Sequence, residues 1–279
     1  MSSGKKDAPN DITDKPAGEE KQGGGDAGEK LQNRVKKVIA VMSGKGGVGK
    51  STISYLLALA LKQKGLAVGL LDADITGSSI PRLMKLPKYN LEVCDDFICP
   101  MQTGTGIKVM SINFLLERED QPVIWRGPLL SKALQQFWGE VYWGDLDYLV
   151  IDMPPGTSDV ALTIMQTVPL SGLVFVTTPQ EMVSVVVAKS MHMARTLRVP
   201  LIGLIENMSY AVCPECGAKF ELFGHGSSDN LGAQQGIKVL ARLALSREVA
   251  SLPDLGPEKT AEVLAGFLQE LGDKIAGPN

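Results

Sequence analysis

The chain has 279 residues, with 28 Lys plus Arg against 31 Asp plus Glu and a formal net charge of -3. That balance leaves no basic footprint for nucleic acid, and no run approaches the roughly 18 uninterrupted apolar residues that a membrane span needs. Four Cys and two His exclude a disulfide-stapled scaffold and leave little room for histidine-centred chemistry.

Residues 1–34 read as a disordered polar tail. Through Lys30 they hold six Gly, five Lys and seven Asp or Glu, with Ile12 the lone large aliphatic residue after the first Met. Such a segment cannot bury enough apolar surface to offset the entropy of ordering. It has no Arg before Arg34, unlike a mitochondrial presequence, and no apolar signal core, so a cytoplasmic location is expected.

From residue 35 to 279 apolar runs alternate with helical patterns. Strands are expected at Val38–Met42, Ala67–Leu71, Ile107–Met110, Tyr148–Ile151, Gly172–Thr177, Leu201–Ile205 and Lys238–Leu243. Helices are expected at about 50–63, 128–141, 158–167, 180–197 and 256–275. Several strands are apolar throughout, as strands covered on both faces are. The pattern predicts a single α/β domain over 35–279 built on a mostly parallel, doubly wound sheet.

The first strand runs into Gly44-Lys45-Gly46-Gly47-Val48-Gly49-Lys50-Ser51 and then a helix beginning near Thr52. Glycines let the backbone N–H groups turn inward onto phosphate oxygens, and the helix N-terminus adds partial positive charge. Lys50 would reach the β- and γ-phosphates, and the Ser51 hydroxyl would ligate magnesium. The run from Gly44 to Thr52 is the expected nucleotide contact. The same residues spell a dinucleotide fingerprint at Gly44, Gly46 and Gly49, with Asp72 23 residues after Gly49. Lys50 and Ser51 decide against it, because a dinucleotide site needs neither a buried ammonium nor a metal-ligating hydroxyl there.

Carboxylates end two strands. Asp72 and Asp74, two residues apart, point the same way toward the carboxyl edge of the sheet. Asp152 closes Leu149-Val150-Ile151 and suits the magnesium shell of a phosphate-loop enzyme. Pro154, Pro155 and Gly156 then make a stiff turn whose Gly N–H can sense a γ-phosphate. Asn207, just beyond the strand Leu201–Ile205, offers one donor and one acceptor, which matches the N6 and N7 edge of adenine.

Cys213-Pro214-Glu215-Cys216-Gly217 forms a knuckle able to hold one face of a metal. By itself it leaves zinc, a redox dithiol and an iron–sulfur cluster open. A four-ligand site requires either Cys94 and Cys99 from the same chain or a second chain's pair. Cys94 and Cys99 read as small buried thiols.

With Lys45 the phosphate loop carries two lysines and resembles that of the MinD/ParA/nitrogenase-iron-protein class of dimeric ATPases. That resemblance implies that Lys45 reaches the partner's phosphates in trans and that Asp74 orients the attacking water and contacts the magnesium shell. Trp125-Arg126-Gly127-Pro128, the run Leu146–Asp159 and the cysteine knuckle together look like the Mrp/ApbC branch. The resemblance implies a magnesium-dependent ATP hydrolase that acts as an iron–sulfur cluster carrier or scaffold. A homodimer would bridge a labile 4Fe–4S cluster through Cys213 and Cys216 of both chains, taking it from an upstream donor and passing it to apoproteins. Two other readings stand beside it: an ATPase with a structural zinc-bridged dimer, and a MinD/ParA-type positioning ATPase. Against the last, the C-terminal stripe Val263, Leu264, Phe267, Leu268, Leu271 and Ile275 lies among four acidic and two basic residues between Glu258 and Lys274. That is the wrong sign for anionic lipid.

Overall fold

A strand covered on both faces must be apolar at every position, and the runs read as such assemble side by side. The computed structural model describes residues 33–74, 79–87, 92–94, 97–115, 137–180, 185–223 and 228–278, without the side chains of Cys94, Ile112, Leu115, Val185 and Val186. The predicted polar tail up to Gln32, the Trp125–Pro128 motif and most of the helix expected at 128–141 lie outside these residues.

The chain begins with β1 (Arg34–Ser43), α1 (Lys50–Gln63) and β2 (Val68–Asp72). Two short strands, β3 (Val93–Cys94) and β4 (Phe97–Ile98), pair as an antiparallel hairpin. Then come β5 (Met101–Gln102), β6 (Lys108–Ser111), β7 (Asp145–Asp152), α2 (Asp159–Thr167), β8 (Gly172–Thr177), α3 (Val185–Thr196) and β9 (Leu201–Glu206). A second hairpin, β10 (Ala211–Val212) with β11 (Lys219–Phe220), precedes α4 (Ser228–Gln235), β12 (Val239–Arg242), α5 (Pro257–Val263) and α6 (Ala265–Ala276).

Among the described residues eight strands form one sheet in the order β12-β9-β8-β1-β7-β2-β6-β5. All pairings in it are parallel except β5 with β6. The seven predicted strands are all present in it. The chain places β1 between β7 and β8, so connections leave in both directions and a crevice opens at the carboxyl edge.

Alternate residues of each central strand serve two separate cores. Val38, Ala40 and Met42 of β1 join Leu149 and Ile151 of β7 on one face, with Ile164 of α2 and Met191 of α3. Ile39 and Val41 join Tyr148 and Val150 on the other, with the α1 residues Ile53 to Leu61, apart from Ser54, and Leu268 and Leu271 of α6. Each fully buried aliphatic side chain contributes about 1.5–3 kcal/mol.

The helix expected at 256–275 is interrupted at Leu264, with φ -108° and ψ 22°. Gly266, a poor helix former, falls just beyond that break. The C-terminal stripe nevertheless packs against the core on that sheet face, except Val263, which is 47% exposed. No helix among the described residues is long and apolar enough to cross a membrane.

Candidate nucleotide and metal site

The sheet's register brings its polar strand ends level. Asp72 of β2 is paired with Asp152 of β7 on one side and with Ser111 of β6 on the other, and all three are fully buried. Beside them, β1 ends at Ser43 and hands the chain to the glycine loop. Ser43 Oγ donates to the Lys45 carbonyl at 2.9 Å. Gly49 caps α1 at φ +84°, and a Cβ there would stand 2.1 Å from Asn207 Nδ2. Both the backbone angle and that neighbour require glycine.

Lys50 opens α1 and lies buried between two carboxylates. Its Nζ is 2.9 Å from Asp152 Oδ1 and 3.2 Å from Asp74 Oδ2, and 3.4 Å from Ser51 Oγ. Burial pulls the ammonium's pKa down, but Asp152 and Asp74 outweigh it and hold the group above its ordinary range. Lys50, Ser51, Asp74 and Asp152, picked from separate stretches of sequence, therefore meet at one point. Asp152 Oδ2 is buried without a hydrogen-bond partner among the described residues. An unpaired carboxylate oxygen beside a phosphate loop fits a hard cation's water shell.

Asp72 takes a supporting place. Its Oδ1 accepts the Asp74 N–H at 3.2 Å and its Oδ2 accepts from Ser111 Oγ at 3.0 Å. Lys45 differs from Lys50: it is exposed at the loop tip, with no ion-pair partner among the described residues. Gly156, expected to offer its N–H to a γ-phosphate, donates it at 2.8 Å to the Ser43 carbonyl, at φ +72°. Asn207 donates from Nδ2 to the Val48 carbonyl at 2.9 Å, and its Oδ1 accepts from Met208 N–H at 2.9 Å. A second amide hydrogen and a second lone pair stay available to a base.

Ser54 and Ser111 escaped the sequence reading. Ser111 had a signal, since it closes an apolar strand as Asp72 and Asp152 do. Ser54 is a hydroxyl in the apolar helix run Ile53–Leu61, and its Oγ lies 2.7 Å from Asp152 Oδ1.

The cysteine knuckle caps the β10–β11 hairpin, six residues beyond Asn207. Cys213 N–H donates to the Ala218 carbonyl, and Gly217 N–H to the Cys213 carbonyl, each at 2.9 Å. Gly217 sits at φ +71°, which closes the turn. Cys213 and Cys216 are free, the second exposed. N–H groups of Cys216 and Glu215, together with the Cys216 thiol, hold the Cys213 thiol below its ordinary pKa range. On the hairpin strands and just beyond them, Phe220 is 47% and Leu222 50% exposed, with Val212 and Phe223 also open.

Cys99 corrects an expectation. It is half-buried and disulfide-bonded, not a free buried thiol. The side chain of Cys94 lies outside the described residues. A bonded Cys99 cannot be a third ligand for the knuckle. Among the described residues no group of three or more His, Cys, Asp or Glu side chains could hold a metal.

A family model described as ParA, NUBPL iron-transfer P-loop NTPase, matches residues 34–276. An iron–sulfur cluster carrier protein of Methanocaldococcus jannaschii is 42% identical over 252 residues, covering 88% of this chain and 87% of that protein. A solved structure of a nucleotide-binding protein from Archaeoglobus fulgidus in complex with ADP is similar at 43% identity and a TM-score of 0.72, over 81% of this chain and 88% of that one. The cell division ATPase MinD of Pyrococcus furiosus, at 20% identity and a TM-score of 0.59 over 86% of this chain and 98% of its own, shares the fold.

Proposed function

The chain belongs to the NUBPL iron-transfer P-loop NTPase family, and on that premise we propose that it couples ATP hydrolysis to carrying a labile 4Fe–4S cluster held between two copies of itself. It accepts the cluster from an upstream donor and delivers it to apoproteins. The observation that carries this reading is the shortage of ligands at an exposed site. Cys213 and Cys216 are free thiols on a rigid turn, and no described side chain completes their set. A tetrathiolate cluster needs four ligands, which a second copy supplies. Phe220 and Leu222, exposed on the same hairpin and just beyond it, offer apolar surface for such a contact to bury.

At the phosphate loop the N–H groups from Gly44 through Thr52 receive the phosphates, and Lys50 turns from its carboxylates to the β- and γ-oxygens. Magnesium, when bound, neutralises charge developing on the transferred phosphoryl group. Ser51, Asp74 and Asp152 hold its shell, Asn207 reads the adenine, and Lys45 reaches the partner's nucleotide. Between nucleotide states the dimer's geometry changes, and with it the exposure of the cluster.

Anaerobic purification followed by iron, sulfide and zinc analysis tests the cargo. Labile iron and sulfide in equal amounts are expected. Tight stoichiometric zinc, with no transferable cluster after reconstitution, leaves an ATPase with a structural zinc-bridged dimer.

Two substitutions test the loop. Asp74→Asn keeps a similar shape and is expected to retain ADP and magnesium while turnover falls by about 100-fold, the loss of a water-orienting group. Turnover within twofold of wild type would move that role to Asp152. Lys45→Ala is expected to leave ADP affinity within a few-fold and to abolish hydrolysis, since its target lies in the other subunit. A loss of ADP affinity equal to that of Lys50→Ala in calorimetric titration contradicts the role in trans.

A further inference from the structure

The two oxygens of Asp152 are treated unequally. Oδ1 accepts from Lys50 Nζ at 2.9 Å and from Ser54 Oγ at 2.7 Å, whereas the buried Oδ2 has no partner among the described residues. Ser54 lies one helical turn beyond Lys50 and is fully buried. Its Oγ is also 3.1 Å from the Lys50 carbonyl, the usual acceptor for a serine inside a helix. One hydroxyl proton cannot serve both acceptors, and the shorter, charged contact takes it.

A carboxylate's terminal torsion is broad and two-fold, so Lys50, a compact point charge on a flexible stem, does not by itself choose which oxygen it holds. A second donor arriving from a fixed helical position does choose. Ser54 approaches from the α1 side, leaving Oδ2 as the oxygen without a donor. We infer that Ser54 is a positioning residue, locking the Asp152 carboxylate so that Oδ2 is the oxygen offered to a magnesium-bound water at the phosphate loop. This rests on reading the loop as a magnesium–nucleotide site.

The test is the magnesium dependence of binding of a fluorescent ADP by the full chain. Ser54→Ala, which substitutes a better helix former, is expected to raise the magnesium midpoint about tenfold, as the loss of a hydrogen bond to a charged group does. Its ADP affinity in EDTA stays at the wild-type value, which a general disturbance of the loop would not allow. Asp152→Asn raises the midpoint too, and adding Ser54→Ala to it shifts the midpoint by less than about twofold, because both act through one group. An unchanged midpoint in Ser54→Ala, an equal loss in EDTA, or full additivity with Asp152→Asn overturns the inference while leaving the nucleotide site intact. A wild-type protein that binds ADP with no response to magnesium would instead remove the magnesium reading itself, and the inference with it.

Discussion

Lys50→Ala is expected to weaken ADP and ATP binding by about 100-fold or more and to lower the thermal midpoint of the nucleotide-free protein. The first effect follows from losing an ammonium that makes charge-assisted bonds to two phosphate groups, each worth about 1.5–3 kcal/mol. The second follows from what Lys50 leaves behind. Asp152 is fully buried and the Asp74 side chain is only 9% exposed, so both carboxylates lose their shared counter-ion in a place water barely reaches. Removing one partner of a buried pair costs about 3–5 kcal/mol. Calorimetric titration and a thermal melt measure the two effects separately. A variant that binds ADP within tenfold of wild type would mean that the phosphates sit elsewhere. A variant with unchanged thermal midpoint would mean that water, not Lys50, compensates the carboxylates.

Cys213→Ala and Cys216→Ala are each expected to lose the cluster completely, whereas Cys94→Ala and Cys99→Ala keep it. Reconstituted wild-type protein should carry about four iron and four sulfide per dimer, with broad brown visible absorption. Two thiolates from each chain leave no spare ligand, so one substitution per chain removes half the set. Cys99 is already disulfide-bonded and its loss touches no cluster ligand. Transfer to an apo-ferredoxin-type acceptor, faster than free iron and sulfide rebuild a cluster there, separates a carrier from a store. Retention of iron and sulfide by Cys213→Ala, or their loss from Cys99→Ala at an unchanged thermal midpoint, would relocate the ligands.

The candidate nucleotide site is largely legible in the sequence, and for a local reason. A glycine loop between an apolar strand and an apolar helix fixes its own geometry over eight residues, Gly44 to Ser51. Asp72 and Asp152 were legible because a buried strand that ends on a carboxylate must deliver it to the carboxyl edge of the sheet, where the glycine loop also begins. The knuckle was legible because Cys213 and Cys216 are joined by one tight turn. Family membership then agrees with what these separate stretches implied together.

Cross-strand neighbours were not legible in the same way. Sheet order departs from chain order, so the sequence cannot say that β2 lies between β7 and β6, or that Asp72 thereby meets both Asp152 and Ser111. Ser54 looked like an ordinary small residue in a helix until the register of β7 set Asp152 Oδ1 against its hydroxyl. Cys99 looked like a buried thiol because bonding between cysteines depends on backbone approach, which spacing alone does not supply. Residue type and local spacing thus marked the phosphate loop and the thiol pair, while the knuckle's spacing by itself left its metal chemistry open. Long-range pairing of strands settled which oxygen of Asp152 is held by Lys50 and Ser54 and which is left over, since only packing brings those atoms within hydrogen-bond reach.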